Sequence, residues 1–281
     1  MLTSLSATGR INHNEPEIPD SVKTFTSHSK IRLFQRGLSI EEREILLFVF
    51  QKFVQACENR DVTFFLYGGS LLGSFRHHDL VPWDDDIDIL ISAKDRQLLR
   101  KAVLALKSEG FALYDPEDYG KAWKFYWKRT KTLQNKPYQW PYIDIFFYLQ
   151  NATHIFDLML EYRSLYVFKI SDVFPLTVRP FAGAFLPVPC NIEVVVKENY
   201  SPNLCKSLHY EHKRETSRPQ QTLATISCKA LHDIYPFVHR RLSPKGDAIV
   251  EEIKMGNETF RTLQIVQRNR CQGNSGYFSY R

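Results

Sequence analysis

The sequence has no apolar run long enough to cross a membrane. A transmembrane helix needs about 20 consecutive apolar residues, and the longest apolar run here, Ile45 to Phe50, is far shorter. The N-terminal segment MLTSLSATGRINHNEPEIPD also lacks the apolar region of a secretory signal peptide. We therefore expect no transmembrane segment, signal or membrane anchor in this chain, and the composition leaves its compartment open.

Cysteine is scarce and is not spaced for metal binding. The 281 residues include five cysteines, none of them in a CxxC pair, so a zinc site is not expected. An odd number of cysteines leaves at least one thiol without an intramolecular partner. Nucleic-acid-binding motifs are missing as well, and the 37 Lys and Arg residues are spread along the chain, so no nucleic-acid partner is expected. The net charge of +6 suits solubility and also attraction of phosphorylated partners.

What the chain does contain is enough apolar material for a packed core. Hydrophobic residues make up 43% of it and aromatic residues 14%, which is typical of a globular protein. Its length suits one large domain or one domain with extensions. We predict a flexible N-terminal lead over 1–38, a main domain over 39–210, and a divergent C-terminal extension over 211–281 that is partly disordered.

Local patterns predict helices mixed with strands. Ser39 and Glu42 form a capping box for a helix that runs to about Asn59, and further helices are predicted over 94–108 and 251–255. Runs rich in β-branched and aromatic residues predict strands over 62–67, 111–114, 123–129 and 138–149. In the third of these strands Lys124 and Lys128 share a face with Tyr126. Such a face could bind phosphate or stack a base, but this alternation is more often that of an ordinary amphipathic strand.

The densest chemical signal is the acidic stretch Asp84-Asp85-Asp86-Ile87-Asp88. Alternate residues of a strand share one face, so Asp86 and Asp88 lie on the same side with Cα atoms roughly 6.5–7 Å apart. Two carboxylates on a half-buried face repel each other unless a cation lies between them. This pattern therefore predicts a site for a divalent metal ion.

A solvated turn and a calcium loop of the EF-hand type are the alternatives to such a site. A solvated turn suits Asp84 and Asp85, which follow Pro82-Trp83, but it suits Asp86 and Asp88 poorly because apolar residues alternate with them. The calcium loop needs glycine at its sixth position, where this chain has Ile89. We therefore exclude the calcium loop and assign Asp84 and Asp85 to the turn.

A Gly-Gly-Ser turn precedes the acidic stretch. Gly68 and Gly69 allow close approach of a ligand to the backbone, and Ser70 is a suitable N-cap for the following helix. A helix N-terminus after a strand exposes N–H groups to an anion, although the P-loop pattern GxxxxGK[ST] is absent. Arg76 is well suited to binding phosphate, whereas His77 fits a functional role and a surface position equally well.

The stretch from Tyr67 to Leu90, YGGSLLGSFRHHDLVPWDDDIDIL, resembles the signature of the LicD family, which includes the fukutin-type proteins. That family is similar to the nucleotidyltransferase superfamily, whose pattern adds a third carboxylate on a later strand. Asp144, within the apolar segment Pro141 to Phe147, matches it. The resemblance implies an α/β (α+β) fold, with a nucleotidyltransferase-like mixed sheet flanked by helices in a single main domain.

The resemblance also implies an activity. Members are thought to transfer a phospho-alcohol, such as phosphocholine or ribitol phosphate, from a CDP-activated donor to a glycan, and fukutin-type members lie in the Golgi. The implied cofactor is Mg²⁺ or Mn²⁺, and Asp144 would accept the proton of the attacking hydroxyl. The implied metal-binding and catalytic residues are Asp86, Asp88 and Asp144, and the implied substrate-binding residues are Gly68, Gly69, Ser70, Arg76 and His77.

Two alternatives remain open from the sequence. After Tyr200 the chain departs from the family pattern, as expected of a non-catalytic member that binds a glycan or another partner. A nucleotidyltransferase that uses nucleoside triphosphates would share the same three carboxylates.

Overall fold

The structure is a computed structural model that describes residues 29–118, 120–266 and Cys271. Most of the predicted flexible lead lies outside the described residues, as does the predicted disorder near the C-terminus, Cys271 apart. Within the described part of the lead, Phe34 is buried and its ring meets that of Trp83 edge to face. This part of the chain therefore contributes to the core.

Five α-helices are described, and the first begins where the sequence predicts it. The Ser39 hydroxyl accepts a hydrogen bond from the Glu42 N–H at 3.1 Å, and the Glu42 carboxylate accepts one from the Ser39 N–H at 2.8 Å. This capping box satisfies two N–H groups that a helix start leaves unpaired. The helices are α1 (Ile40–Glu58), α2 (Gly68–His77), α3 (Arg96–Leu104), α4 (Ile170–Val173) and α5 (Ile192–Asn199).

The main sheet is mixed and contains seven strands in the described part of the chain. Its path runs β1-β2-β5-β4-β3, with β6 paired to β5 and β7 paired to β6. Only β2 and β5 pair in parallel; the other neighbours in this sheet are antiparallel. The strands are β1 (Phe64–Leu66), β2 (Ile87–Ser92), β3 (Phe111–Tyr114), β4 (Trp123–Thr132), β5 (Gln139–Gln150), β6 (His154–Asp157) and β7 (Val167–Lys169).

Helices flank this sheet and close its core, as the fold prediction requires. Helix α1 packs on β4 and β5 and contacts α3, whereas α2 contacts β2, α5 and two later strands, Thr177–Phe181 and Phe237–Leu242. Phe53 of α1 and Ile89 and Ile143 of the central strands are fully buried. Burying one such side chain stabilises a fold by about 1.5–3 kcal/mol, so the apolar alternation around Asp88 and Asp144 fixes both strands in the core.

The remaining described strands form small antiparallel sheets. Three of them form two-stranded ribbons, β8 with β9, β10 with β13, and β11 with β12, and the fourth sheet has the order β14-β15-β16. These strands are β8 (Thr177–Phe181), β9 (Ala184–Val188), β10 (Leu204–Lys206), β11 (Tyr210–Glu211), β12 (Thr216–Ser217), β13 (Thr225–Ser227), β14 (Phe237–Leu242), β15 (Ala248–Met255) and β16 (Glu258–Val266).

The helix predicted over 251–255 is wrong, because these residues form the end of β15. The strand is the middle one of its sheet and pairs on both sides. The side chain of Glu251 is only 2% exposed there and bonds Arg179 and His78. Both partners lie far away in sequence, so the local sequence around Glu251 does not record the pairing.

Two disulfides tie the later part of the chain together. Cys205 bonds Cys228 across β10 and the end of β13, and Cys190 bonds Cys271. Cys57 of α1 is a free and buried thiol, in agreement with the odd count.

No helix among the described residues is both long and apolar enough to span a membrane. The predicted division of the chain at residue 210 stays a prediction. The described residues beyond it nevertheless contact the predicted main domain, through Glu251 on His78 and through His212 on Asp85.

Candidate active site

The three predicted carboxylates meet at the centre of the main sheet. Asp88 of β2 and Asp144 of β5 are direct partners in the parallel register, and Asp86 lies immediately before β2. Ligand oxygens of Asp86, Asp88 and Asp144 all lie within 4.8 Å of one another. These carboxylates line a cavity of about 1360 Å³, so they are close enough to share one cation and open to a ligand.

The Gly-Gly-Ser segment forms the first turn of α2 and not a turn before it. Helix α2 begins at Gly68, so the prediction of Ser70 as N-cap is wrong. The Ser70 hydroxyl instead accepts a hydrogen bond from the Asp88 N–H at 2.9 Å, and the Gly69 N–H donates to Asp88 Oδ2 at 3.1 Å. The start of α2 therefore orients Asp88.

Carboxylates approach the backbone closely at both glycines, so a side chain at either position would have to displace one of them. Gly68 has φ +50°, and a Cβ there would lie 2.8 Å from Asp88 Oδ2. A Cβ on Gly69 would lie 2.7 Å from Asp84 Oδ2. Both distances are too short for a side chain, so these two glycines leave room for the acidic cluster itself.

The assignment of Asp84 and Asp85 to a solvated turn is wrong. Asp85 is fully buried, and Asp84 is half-buried at the cavity wall. Asp85 accepts hydrogen bonds from the ring of His212 at 2.8 Å and from the Lys213 N–H at 3.3 Å. These partners replace the water that an exposed turn would use, and they come from a segment more than 120 residues further along the chain.

Burial and the crowding of like charges shift the pKa values of this cluster. Burial together with the charges of Asp144 and Asp84 raises the pKa of Asp88 to about 7. Burial and the charge of Asp88 likewise raise the pKa of Asp86 well above its usual range. Burial alone lowers the pKa of His212, but the carboxylates of Asp86 and Asp85 overcome it and hold that pKa well above its usual range. A bound cation would relieve the repulsion that causes these shifts.

Cationic side chains border the carboxylates. Lys124 of β4 donates to Asp144 Oδ1 at 2.6 Å, so its face of the strand points into the site. Arg76, in the last turn of α2, lines the same cavity as Gly68 and Gly69, and its guanidinium donates to the Leu204 carbonyl at 3.4 Å.

The other two predicted substrate-binding residues do not line the cavity. Ser70 is engaged with the backbone of Asp88. His77 is buried, with its Nδ1 2.6 Å from the Pro236 carbonyl and its ring against Phe237. The structure thus brings together Gly68, Gly69 and Arg76 with the three carboxylates.

Sequence reasoning did not find His212, Glu215 and Asp85 as parts of the site. Glu215 accepts hydrogen bonds from Tyr142 and, at 2.8 Å, from Tyr138. Burial opposes ionisation of Glu215, but Lys124 and the tyrosine hydroxyls lower its pKa. No local pattern marks these residues. Lys124 could be noticed in the sequence, because it alternates with aromatic residues in the strand that precedes the strand of Asp144.

The donor set suits a hard divalent cation. Three carboxylates offer the oxygen ligands that Mg²⁺ and Mn²⁺ prefer, whereas zinc sites favour His and Cys. The space that Gly68 and Gly69 leave around Asp88 and Asp84 keeps the carboxylate oxygens free of steric interference. Residues Asp86, Asp88 and Asp144 can therefore hold a metal ion at the cavity wall.

Comparison with known proteins finds a match to a family model over part of the chain. The sequence model described as LicD/FKTN/FKRP, nucleotidyltransferase domain, matches residues 61–191, which include all three carboxylates. The chain is similar to the ribitol 5-phosphate transferase FKRP of Homo sapiens and of Mus musculus, with 27% identity over 161 residues in each case. It is also similar to the lipopolysaccharide cholinephosphotransferase LicD of Haemophilus influenzae, with 29% identity over 140 residues.

These matches cover part of each protein. The FKRP alignments span 56% of this chain and 31% of FKRP, and the LicD alignment spans 46% of this chain and 53% of LicD. The chain therefore covers about a third to a half of the length of these curated relatives. With the glycine turn, the carboxylate strands and the matched segment in agreement, residues 61–191 form a domain of the LicD/fukutin type.

Proposed function

We propose that this protein is a metal-dependent transferase that moves a phospho-alcohol from a CDP-activated donor to a glycan acceptor. The observation that carries the proposal is the convergence of Asp86, Asp88 and Asp144 within 4.8 Å in a large cavity. The names of the relatives support the reaction class, since one is a ribitol 5-phosphate transferase and another a cholinephosphotransferase.

The carboxylates supply the metal-binding part of the reaction. Mg²⁺ or Mn²⁺ held by Asp86, Asp88 and Asp144 would neutralise the donor diphosphate and stabilise the leaving CMP. The Gly69 N–H and the Ser70 hydroxyl fix Asp88 from the start of α2, so this ligand is oriented before any substrate arrives. Preorganised ligands lose little free energy to rearrangement when they bind.

The cationic residues and Asp144 would bind the donor phosphate and accept the proton of the acceptor hydroxyl. Arg76 borders the cavity on the α2 side, where its guanidinium can bind donor phosphate oxygens. Lys124 donates to Asp144 Oδ1 at 2.6 Å and thereby orients this carboxylate. Asp144 can accept the proton of the attacking acceptor hydroxyl. Gly68 and Gly69 are proposed to lie next to the donor phosphate. Ser70 and His77 would not touch the substrate and would act only by positioning Asp88 and Arg76.

We also propose that the chain matures in an oxidising compartment, such as the secretory lumen. Disulfides form and persist in oxidising surroundings, and both the Cys205–Cys228 and the Cys190–Cys271 bond are formed. This agrees with the Golgi location that the family resemblance implies.

Release of CMP from CDP-alcohols tests the proposed reaction. Wild-type protein is incubated with CDP-ribitol or CDP-choline, with Mg²⁺ or Mn²⁺, and with glycan acceptors that include lipopolysaccharide. We expect CMP release that needs both the metal and an acceptor, and only weak competition by nucleoside triphosphates. Binding of CDP-alcohols without any CMP release would favour a non-catalytic member, and strong inhibition by triphosphates would favour an NTP-using enzyme.

A further inference from the structure

The hairpin of β11 and β12, with its loop 212–215, covers the acidic cluster. This hairpin lies beyond residues 61–191, the part of the chain that the family model matches. Its residues Tyr210, His212, Glu215 and Ser217 nevertheless line the same cavity as Asp86, Asp88 and Asp144. The site is therefore completed by a segment that the family match does not include.

His212 bridges two members of the acidic stretch. Its Nδ1 lies 2.8 Å from Asp85 Oδ1, and its Nε2 lies 3.1 Å from Asp86 Oδ2. Carboxylate oxygens only accept hydrogen bonds, so each ring nitrogen faces an acceptor. The next residue, Lys213, adds its backbone N–H to Asp85 Oδ2 at 3.3 Å. The hairpin thus binds both oxygens of Asp85 and one oxygen of Asp86.

The loop is anchored through residues that follow His212. Lys213 Nζ donates to the Gly37 carbonyl at 3.1 Å. Glu215 accepts from Tyr138 at 2.8 Å and pairs with Lys136 at 3.2 Å. Tyr210 places its ring edge to face with the imidazole, with centroids 5.0 Å apart. These contacts fix the position of the imidazole relative to the sheet.

We propose that His212 is a positioning residue that holds Asp86 in the orientation needed to bind a divalent metal ion. The 3.1 Å ion-pair contact of Nε2 with Asp86 Oδ2 restricts rotation of the carboxylate and leaves its other oxygen for the cation. The hydrogen bond to Asp85 Oδ1 at 2.8 Å holds the imidazole in place beside Asp86. Partners that orient a ligand commonly change metal affinity by about 10- to 100-fold when they are removed. This inference rests on the metal site of the proposed function.

Mn²⁺ affinity measured by isothermal titration calorimetry tests the inference without any need for turnover. The variants are His212→Ala, His212→Gln and the control Arg214→Gln, each with its melting temperature. Arg214 is in the same loop, but its side chain is 69% exposed and pairs only with Glu211 there. We expect His212→Ala to weaken Mn²⁺ binding about 10- to 100-fold. His212→Gln keeps one donor, so it should weaken binding less, and the control should bind as wild type does.

The possible outcomes separate the inference from the proposed function. Equal Mn²⁺ affinity in wild type and both His212 variants would overturn the positioning role and leave the metal site intact. A lower melting temperature with unchanged affinity of the folded protein would overturn it as well, since His212 would then be purely structural. Absence of Mn²⁺ binding in wild type itself would contradict the proposed function. If His212→Ala does not fold, His212→Gln decides the question by the same criterion.

Discussion

Replacing Asp88 by Asn is expected to lower the rate of phospho-alcohol transfer by about 10³-fold, because a metal ion contributes several kcal/mol to such reactions. The amide keeps the size of the carboxylate and can still accept the hydrogen bond from Gly69, so the fold around α2 should persist. It removes one of three like charges that repel each other in the cluster. We therefore expect the melting temperature to stay the same or rise while activity falls.

The measurement is initial CMP release from the CDP-alcohol that wild type uses, together with thermal unfolding of each protein. Asp61→Asn is the matched control, because Asp61 is exposed, outside the cavity, and has a positive φ that asparagine tolerates. The control should retain wild-type activity. Retention of wild-type activity by Asp88→Asn would show that Asp88 is not a metal ligand.

Replacing Glu251 by Gln is expected to cause the largest loss of stability, about 3–5 kcal/mol. Glu251 accepts from Arg179 at 2.6 Å, from Arg240 at 2.8 Å and from His78 at 2.7 Å. The side chains of Arg179 and His78 are each 3% exposed. Loss of the carboxylate would leave Arg179 as a buried charge without its counter-ion, at the junction of α2 and the β14–β16 sheet.

Urea unfolding of Glu251→Gln beside Glu252→Gln isolates this effect. Glu252 is adjacent in the same strand but pairs with Arg241 at the surface, where ion pairs contribute little. We expect the control to unfold close to wild type. Similar midpoints for the two variants would contradict the role assigned to Glu251.

The same network predicts how stability depends on pH. Arg179 and the hydrogen bond from His78 outweigh the effect of burial and hold the pKa of Glu251 far below its usual range. A carboxylate with a lowered pKa in the folded state stabilises fully above its unfolded pKa, about 4.3, and loses this contribution as the pH falls below that value. Wild type should therefore lose stability below about pH 4.3 more steeply than Glu251→Gln does.

Elements with local signals could be predicted from the sequence. The capping box of Ser39 and Glu42 placed the start of α1, and the apolar alternation around Asp88 and Asp144 placed two central strands. Both signals act within a few residues, so they do not depend on the rest of the chain. The parallel pairing of these strands then brings the two carboxylates side by side, as the resemblance implied.

Contacts between distant segments were beyond the reach of the sequence. Asp85 looked like a turn residue because its partners His212 and Lys213 are far away along the chain. Glu251 was predicted to lie in a helix, but it lies in β15 and its buried partner Arg179 belongs to another sheet. In both cases a charge is buried by a remote counter-ion, and no local periodicity records such pairing. The glycines were also misread in part, since they make room for carboxylates as well as for a ligand.

Binding of CDP, measured by isothermal titration calorimetry with Mn²⁺ and then with EDTA, tests the central claim most directly. The claim is that Asp86, Asp88 and Asp144 hold a divalent metal ion that binds the donor diphosphate. Wild type should bind CDP only when Mn²⁺ is present, and Asp144→Asn should show little binding under either condition. Equal CDP affinity in Mn²⁺ and in EDTA, or equal Mn²⁺-dependent affinity in wild type and Asp144→Asn, would contradict it.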